Sequence, residues 1–242
     1  MVMLLLDNDY SERQLSESLE LDLRNIGSKV WHKVLSNCRA SNLRLYHITL
    51  SALDGIESLT ATRTLELEWA TKIETLLPVF AMRRLESLSI YDFPKLRELD
   101  GIEELSELKE LKLSGSRGAL TPKLRLQSIA PVCKIQNLTS LALTNLALGD
   151  DDVAKIAKCT QLRHLKLSNQ FERAQVAYLA KHLNEQLVEP LTSHVVSGIK
   201  CKTCDGNLAM FIGRRVPMLC QTCNRKQFTR YVDEFSQLVA SA

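Results

Sequence analysis

A chain of 242 residues with 45% hydrophobic side chains can bury a sizeable core, and a formal charge of +3 excludes a strongly polyelectrolyte protein. The charge is uneven: from Lys200 onward seven Lys and Arg stand against three acids, while the body before it is close to neutral. Residues 1–6 are apolar but too short for a secretory core, and Asp7 and Asn8 come immediately after. No run approaches the roughly 18 apolar residues of a membrane span. These features predict a cytoplasmic protein without a membrane partner.

Residues 1–42 show no clean repeat. They are expected to form a cap in which a helix or irregular segment around Val30, Trp31, Val34 and Leu35 seals the open end of the first repeat. From Leu43 a paired apolar motif returns six times, at Leu43/Leu45, Leu65/Leu67, Leu88/Ile90, Leu111/Leu113, Leu141/Leu143 and Leu165/Leu167. Successive pairs lie 22, 23, 23, 30 and 24 residues apart. Each pair has strand period, so both side chains point to one face and need neighbouring units to cover them. The 30-residue interval contains Gly115, Gly118, Pro122 and Pro131, which predicts an insertion on a loop. Later units have helical return arms: Asp150, Asp151 and Asp152 precede one at Val153, and Val176, Leu179, Ala180, Leu183 and Leu187 form a helical stripe. Residues 190–197 read as a linker.

The last block is chemically distinct. Cys201-x-x-Cys204, fifteen residues, then Cys220-x-x-Cys223 is the spacing of a four-thiolate zinc site. Two short strands, 208–212 and 216–219, would form the hairpin that joins the knuckles. Four cysteines close a tetrahedral shell, so the expected Zn2+ is structural, one per chain. His194 reads as a linker residue and not a ligand. A helix carrying Val232, Phe235, Leu238 and Val239 on one face is expected to end the chain. Arg214, Arg215, Arg225 and Lys226 make this block basic, which keeps nucleic-acid contact open as the alternative.

In a strand written x-Leu-x-Leu-x the intervening residues face the concave side. Arg44, Tyr46, Glu66, Glu68, Tyr91 and Lys112 fall there, with Trp69 and Asp92 one position further. Tyr, Trp and Arg are enriched among interface hot spots, which places the expected partner-binding patch in the first half of the stack. Gly-x-Ser-x-Gly, His-Glu-x-x-His and phosphate-binding Gly-rich motifs are absent from the sequence, and its five histidines are scattered. The chain is read as a non-enzyme.

The segments Leu85-Glu-Ser-Leu88-Ser-Ile90, Leu108-Lys-Glu-Leu111-Lys-Leu113 and Leu162-Arg-His-Leu165-Lys-Leu167 resemble the leucine-rich repeat family over about residues 40–187. The resemblance implies an α/β solenoid of about six repeats, here 43–190, between the cap at 1–42 and a zinc ribbon with its helix at 198–242. Where many such repeats carry an asparagine ladder, this chain has Ala70, Phe93, Ser116, Leu146 and Gln170, so its turns must be satisfied differently. The whole layout is similar to compact bacterial leucine-rich repeat proteins, some of which are immunity proteins that bind and neutralise a cognate toxin. Capture of a partner protein on the concave face is therefore the expected function, most concretely inhibition of a toxin or effector. A nucleic-acid-associated adaptor using the ribbon is the alternative.

Overall fold

The computed structural model describes residues 1–8, 10–117 and 121–242. Eight strands build one parallel sheet: β1 (Val2–Leu5), β2 (Glu20–Ile26), β3 (Asn42–Ile48), β4 (Thr64–Ala70), β5 (Ser87–Tyr91), β6 (Glu110–Ser114), β8 (Ser140–Thr144) and β10 (His164–Leu167). They lie in chain order, in strict register, so Leu21, Leu43, Leu65, Leu88, Leu111, Leu141 and Leu165 form one inward row. Leu23, Leu45, Leu67, Ile90, Leu113 and Leu143 form a second row, all fully buried. Between β6 and β8, the interval with the longest spacing adds β7 (Leu124–Leu126), which pairs in parallel with β9 (Leu146–Leu148) beside the main sheet. The insertion is thus partly strand; Gly118 lies outside the described residues.

The cap expected over residues 1–42 is instead two further coils of the same stack. β1 and β2 pair with each other, β2 pairs with β3, and the helices α1 (Glu12–Glu17) and α2 (Ser28–Asn37) are their return arms. Val34 is buried, with Val30, Trp31 and Leu35 partly buried against the core, but they line a coil and do not seal an end.

Return arms elsewhere are short. α3 (Leu77–Phe80) is one turn, and 3-10 turns occupy Ile56–Ser58, Ile102–Glu104, Ala130–Lys134 and Val153–Lys158. The last of these is 3-10 and not the α-helix that its acidic lead-in suggests. The sequence Leu-Asp-Gly-Ile-Glu occurs at Leu53 and again at Leu99, two coils apart, and both glycines are left-handed (φ 87° and 91°). A side chain there would be strained, so glycine sets the tight entry into each 3-10 turn.

The missing asparagine ladder has a replacement one residue earlier. Asn25, His47, Trp69 and Asp92 occupy equivalent positions at the C-terminal ends of successive strands, all left-handed at φ 57–62°. Their side chains continue the ladder: Asn25 Nδ2 donates to Asp7 Oδ1 (2.7 Å), His47 Nδ1 donates to Asn25 Oδ1 (2.7 Å), and the His47 and Trp69 rings stack at 4.2 Å. Left-handed backbone is costly for a residue as large as tryptophan, and the stacked neighbours hold it there.

α4 (Arg173–Leu183) closes the last coil, burying Val176, Leu179, Ala180 and Leu183. The ribbon follows as a three-stranded antiparallel sheet of β11 (His194–Lys200), β12 (Asn207–Phe211) and β13 (Met218–Cys220), so much of the expected linker is strand. α5 (Arg225–Ser241) has one apolar stripe serving two cores. Phe228, Tyr231 and Val232 pack with Ala209, Phe211 and Leu219 of the ribbon, while Phe235, Leu238 and Val239 join the solenoid core. That i, i+3, i+4, i+7 spacing is what one helical face requires. The helix of the ribbon therefore covers the C-terminal end of the stack.

Because the N-terminal coils share the core, Leu23→Ala is expected to cost about 3 kcal/mol, as a buried leucine truncation does. A single cooperative urea transition shifted by that amount would confirm it; a negligible shift would show residues 1–42 to be a detachable cap.

Candidate functional site

The outward residues of the strands form registered rows. One runs Asp22, Arg44, Glu66, Ser89, Lys112; the next runs Arg24, Tyr46, Glu68, Tyr91, Ser114. Alternating charge on adjacent strands is favourable, because cross-strand neighbours sit close enough to pair. Arg44 is the hub. Its Nη1 lies 2.9 Å from Asp22 Oδ2, its Nε 2.7 Å from Glu66 Oε1 and its Nη2 2.6 Å from Glu68 Oε2. Arg24 adds a second cation to Asp22 Oδ2 at 2.8 Å. Arg24 and Arg44 also lie over the Tyr46 ring, 5.1 and 5.0 Å from its centroid, and Tyr46 tilts against Trp69 at 5.7 Å. These side chains are held by several partners each.

The expected contact residues Arg44, Tyr46, Glu66, Glu68, Trp69, Tyr91 and Asp92 fall on β3 to β5 or their rim, and Lys112 lies beyond them on β6, the sixth of the eight strands. They are not equally available. Arg44 is only 18% exposed and is spent on internal pairs, and Glu68 is buried. Lys112 pairs with Glu110 at 2.8 Å. Trp69 remains exposed and Tyr91 half-buried. Three participants are missing from the expected set: Asp22 and Arg24, which the Leu21/Leu23 pair 22 residues before Leu43/Leu45 could have placed on this face, and Arg117. The last reaches back from the insertion after β6, lying 3.7 Å from the Tyr91 ring centroid, 3.0 Å from Glu66 and 3.2 Å from Glu68.

Asp92 lacks any ion pair among the described residues. Burial, and then the charge of Glu68, push its carboxyl above the usual carboxylate range. The folded chain thus holds this proton to higher pH than the unfolded chain, and stability falls as pH rises through the raised value. Asp92→Asn, which also tolerates left-handed backbone, is expected to raise the melting temperature at pH 7, with the gain shrinking as pH falls into the carboxylate range. A gain independent of pH, or a loss at pH 7, would contradict this.

The second site is the cysteine centre. Sγ atoms of Cys201, Cys204, Cys220 and Cys223 all lie within 4.8 Å of one another. Cys201 and Cys223 are 3.8 Å apart and Cys204 and Cys220 3.3 Å, far beyond a covalent S–S bond of about 2.05 Å. Four thiolates around one ion at about 2.3 Å would stand roughly 3.8 Å apart, so these residues can hold a metal ion. Backbone geometry prepares the knuckles: Cys201 N–H donates to Gly206 O at 2.7 Å, and Cys223 N–H donates to Cys220 Sγ at 3.5 Å. The latter bond, with that from Cys204, pulls the Cys220 thiol down to about 6. His194 is neither ligand nor linker. Its ring packs against Phe211 (5.2 Å) and Phe228 (4.9 Å) in the aromatic core of the ribbon, where burial lowers its pKa.

The basic set divides. Arg214 Nε donates to Gln170 O at 2.6 Å and the guanidinium pairs with Asp151 and Glu172 of the last coils. Arg215 sits beside it in left-handed backbone (φ 58°), whereas Arg225 and Lys226 are exposed in the first turn of α5, next to the second knuckle.

No protein-family profile matches this sequence, and no curated protein is similar to it in sequence. Among solved structures the chain is similar to an internalin from Listeria monocytogenes, with 17% identity and a TM-score of 0.50, over 70% of this chain and 47% of that one. It is also similar to a leucine-rich repeat protein of Leptospira interrogans, with 21% identity and a TM-score of 0.46, over 68% of this chain and 39% of that one. The chain spans less than half the length of either structure. Together with the registered coils, the internalin likeness defines the fold as a leucine-rich repeat solenoid. Among the described residues no helix is long and apolar enough to cross a membrane.

Proposed function

We propose that this is a non-catalytic binding protein that captures another protein on the strand face of its N-terminal half. The observation that carries the reading is the state of that face: Asp22, Arg24, Arg44, Tyr46, Glu66 and Glu68 are tied together by ion pairs and cation–π contacts before any partner arrives. Binding must otherwise immobilise long side chains at about 0.5–1.5 kcal/mol each, and a pre-ordered surface lowers that cost. The most concrete form is a stoichiometric inhibitor of a toxin or effector in the cytoplasm, where cysteines that form no disulfide, such as Cys38, Cys133 and Cys159, remain reduced. Replacing Glu66 and Glu68 by Lys together with Tyr91→Ala is expected to abolish one-to-one co-purification of the partner in a folded protein. Capture unchanged by these substitutions would sink the reading.

The cysteine centre is assigned a structural Zn2+, one per chain, held by Cys201, Cys204, Cys220 and Cys223. Four thiolates and Zn2+ carry two net negative charges, which Arg225 and Lys226 beside the second knuckle offset. That role favours a solvated, structural use of these cations over nucleic-acid contact. Metal analysis should find about one zinc per chain, and its chelation should melt the ribbon's circular-dichroism signal because metal supplies folding free energy to so small a core. Iron, or a ribbon indifferent to metal removal, would overturn the assignment.

A further inference from the structure

Arg117 does not behave like an ordinary surface side chain. It lies beyond the end of β6, yet its guanidinium lies over Tyr91 of β5 and reaches Glu66 and Glu68 of β4. Those two carboxylates are already supplied with a cation, since Arg44 lies 2.7 and 2.6 Å from them. Arg117 is therefore a second guanidinium on the same pair. The two arginines differ in accessibility: Arg44 is 18% exposed and locked, whereas Arg117 is 41% exposed and approaches from a loop. A cavity of about 500 Å³ opens beside it, lined by Glu20, Asn42, Arg44, Thr64 and Glu66.

The cradle has the elements that read a guanidinium: an aromatic face below the plane and carboxylates at its edge. A planar, delocalised cation with several fixed donors satisfies both at once, which a compact ammonium does not. Asp92, without an ion pair among the described residues, leaves this corner with spare negative charge next to Glu68. An arginine entering from outside would meet the contacts that Arg117 now makes, and the adjoining cavity has room for the residues flanking it.

We propose that Tyr91, Glu66 and Glu68 form a recognition site for an arginine side chain of the partner protein, and that Arg117 occupies this site intramolecularly as a displaceable placeholder. The inference rests on the strand-face reading and names the chemistry of the partner's anchor. Arg117 sets a threshold: only a segment that binds better than the internal side chain displaces it, so affinity for isolated arginines stays low while a complementary partner wins.

The test uses the intact protein and fluorescent peptides Gly-Gly-Arg-Gly-Gly, with lysine or citrulline in place of the arginine, read by fluorescence anisotropy. Arg117→Ala is expected to bind the arginine peptide at least tenfold more tightly than the unaltered protein. The lysine peptide should bind more weakly and the citrulline peptide not measurably. Adding Tyr91→Ala, or Glu66→Gln with Glu68→Gln, to Arg117→Ala should remove the gain. Circular dichroism checks each variant, and if loss of the acids unfolds the chain, Tyr91→Ala decides. Absence of any gain in Arg117→Ala, a gain that survives Tyr91→Ala, or equal binding of the citrulline peptide overturns the proposal. If partner capture is lost on reversing Glu66 and Glu68 while Arg117→Ala gains nothing, the placeholder idea fails and the strand-face reading stands.

Discussion

A Leu-x-Leu strand cannot bury its two side chains alone and relies on the coils stacked beside it. That requirement fixes the register of the whole stack. Once Leu65 and Leu67 point inward against Leu43, Leu45, Leu88 and Ile90, the residues between them must point outward and must line up with their counterparts. The core therefore dictates the surface. Asp22, Arg44 and Glu66 meet because Leu21, Leu43 and Leu65 do.

Burial is what gives this surface its rigidity. Asp22 and Glu68 are largely removed from water, so each needs a partner, and Arg44 supplies both. Its guanidinium also backs the Tyr46 ring. The consequence is a division of labour among residues of similar type. Arg44 organises the face from within, while Arg117, Tyr91 and Trp69 remain near solvent. At the other end of the chain α5 does a comparable double duty, filling the ribbon with Phe228 and the solenoid with Phe235. The cysteine centre thus fixes the helix that closes the stack.

The sequence makes the repeat from Leu43 onward and the four cysteine ligands plain, because each is a local pattern with a fixed spacing. It hides the first two coils for a physical reason. Leu21 and Leu23 do carry the pair, 22 residues before Leu43 and Leu45, but the helical return arm α2 masks the unit, and Leu4 and Leu6 of the coil before it fall at the shorter interval of 17 residues. Without those coils Asp22 and Arg24 have no place on the strand face, and Arg44 looks like a free anchor. Arg117 is a different case. Its side chain reaches back from beyond β6 to residues of β5 and β4, and no spacing encodes that reach. His194 reads as a linker because its packing partners, Phe211 and Phe228, are brought to it only by the hairpin and α5.

Arg44 couples the strands into one pre-organised face, and a double-mutant cycle measures that coupling directly. Unfolding free energies of the Arg44→Met, Glu68→Gln and combined variants should be non-additive by about 1–3 kcal/mol, as for side chains within one network. Additivity to within about 0.5 kcal/mol would mean that the two side chains merely lie near each other, and the account of a locked binding face would be contradicted.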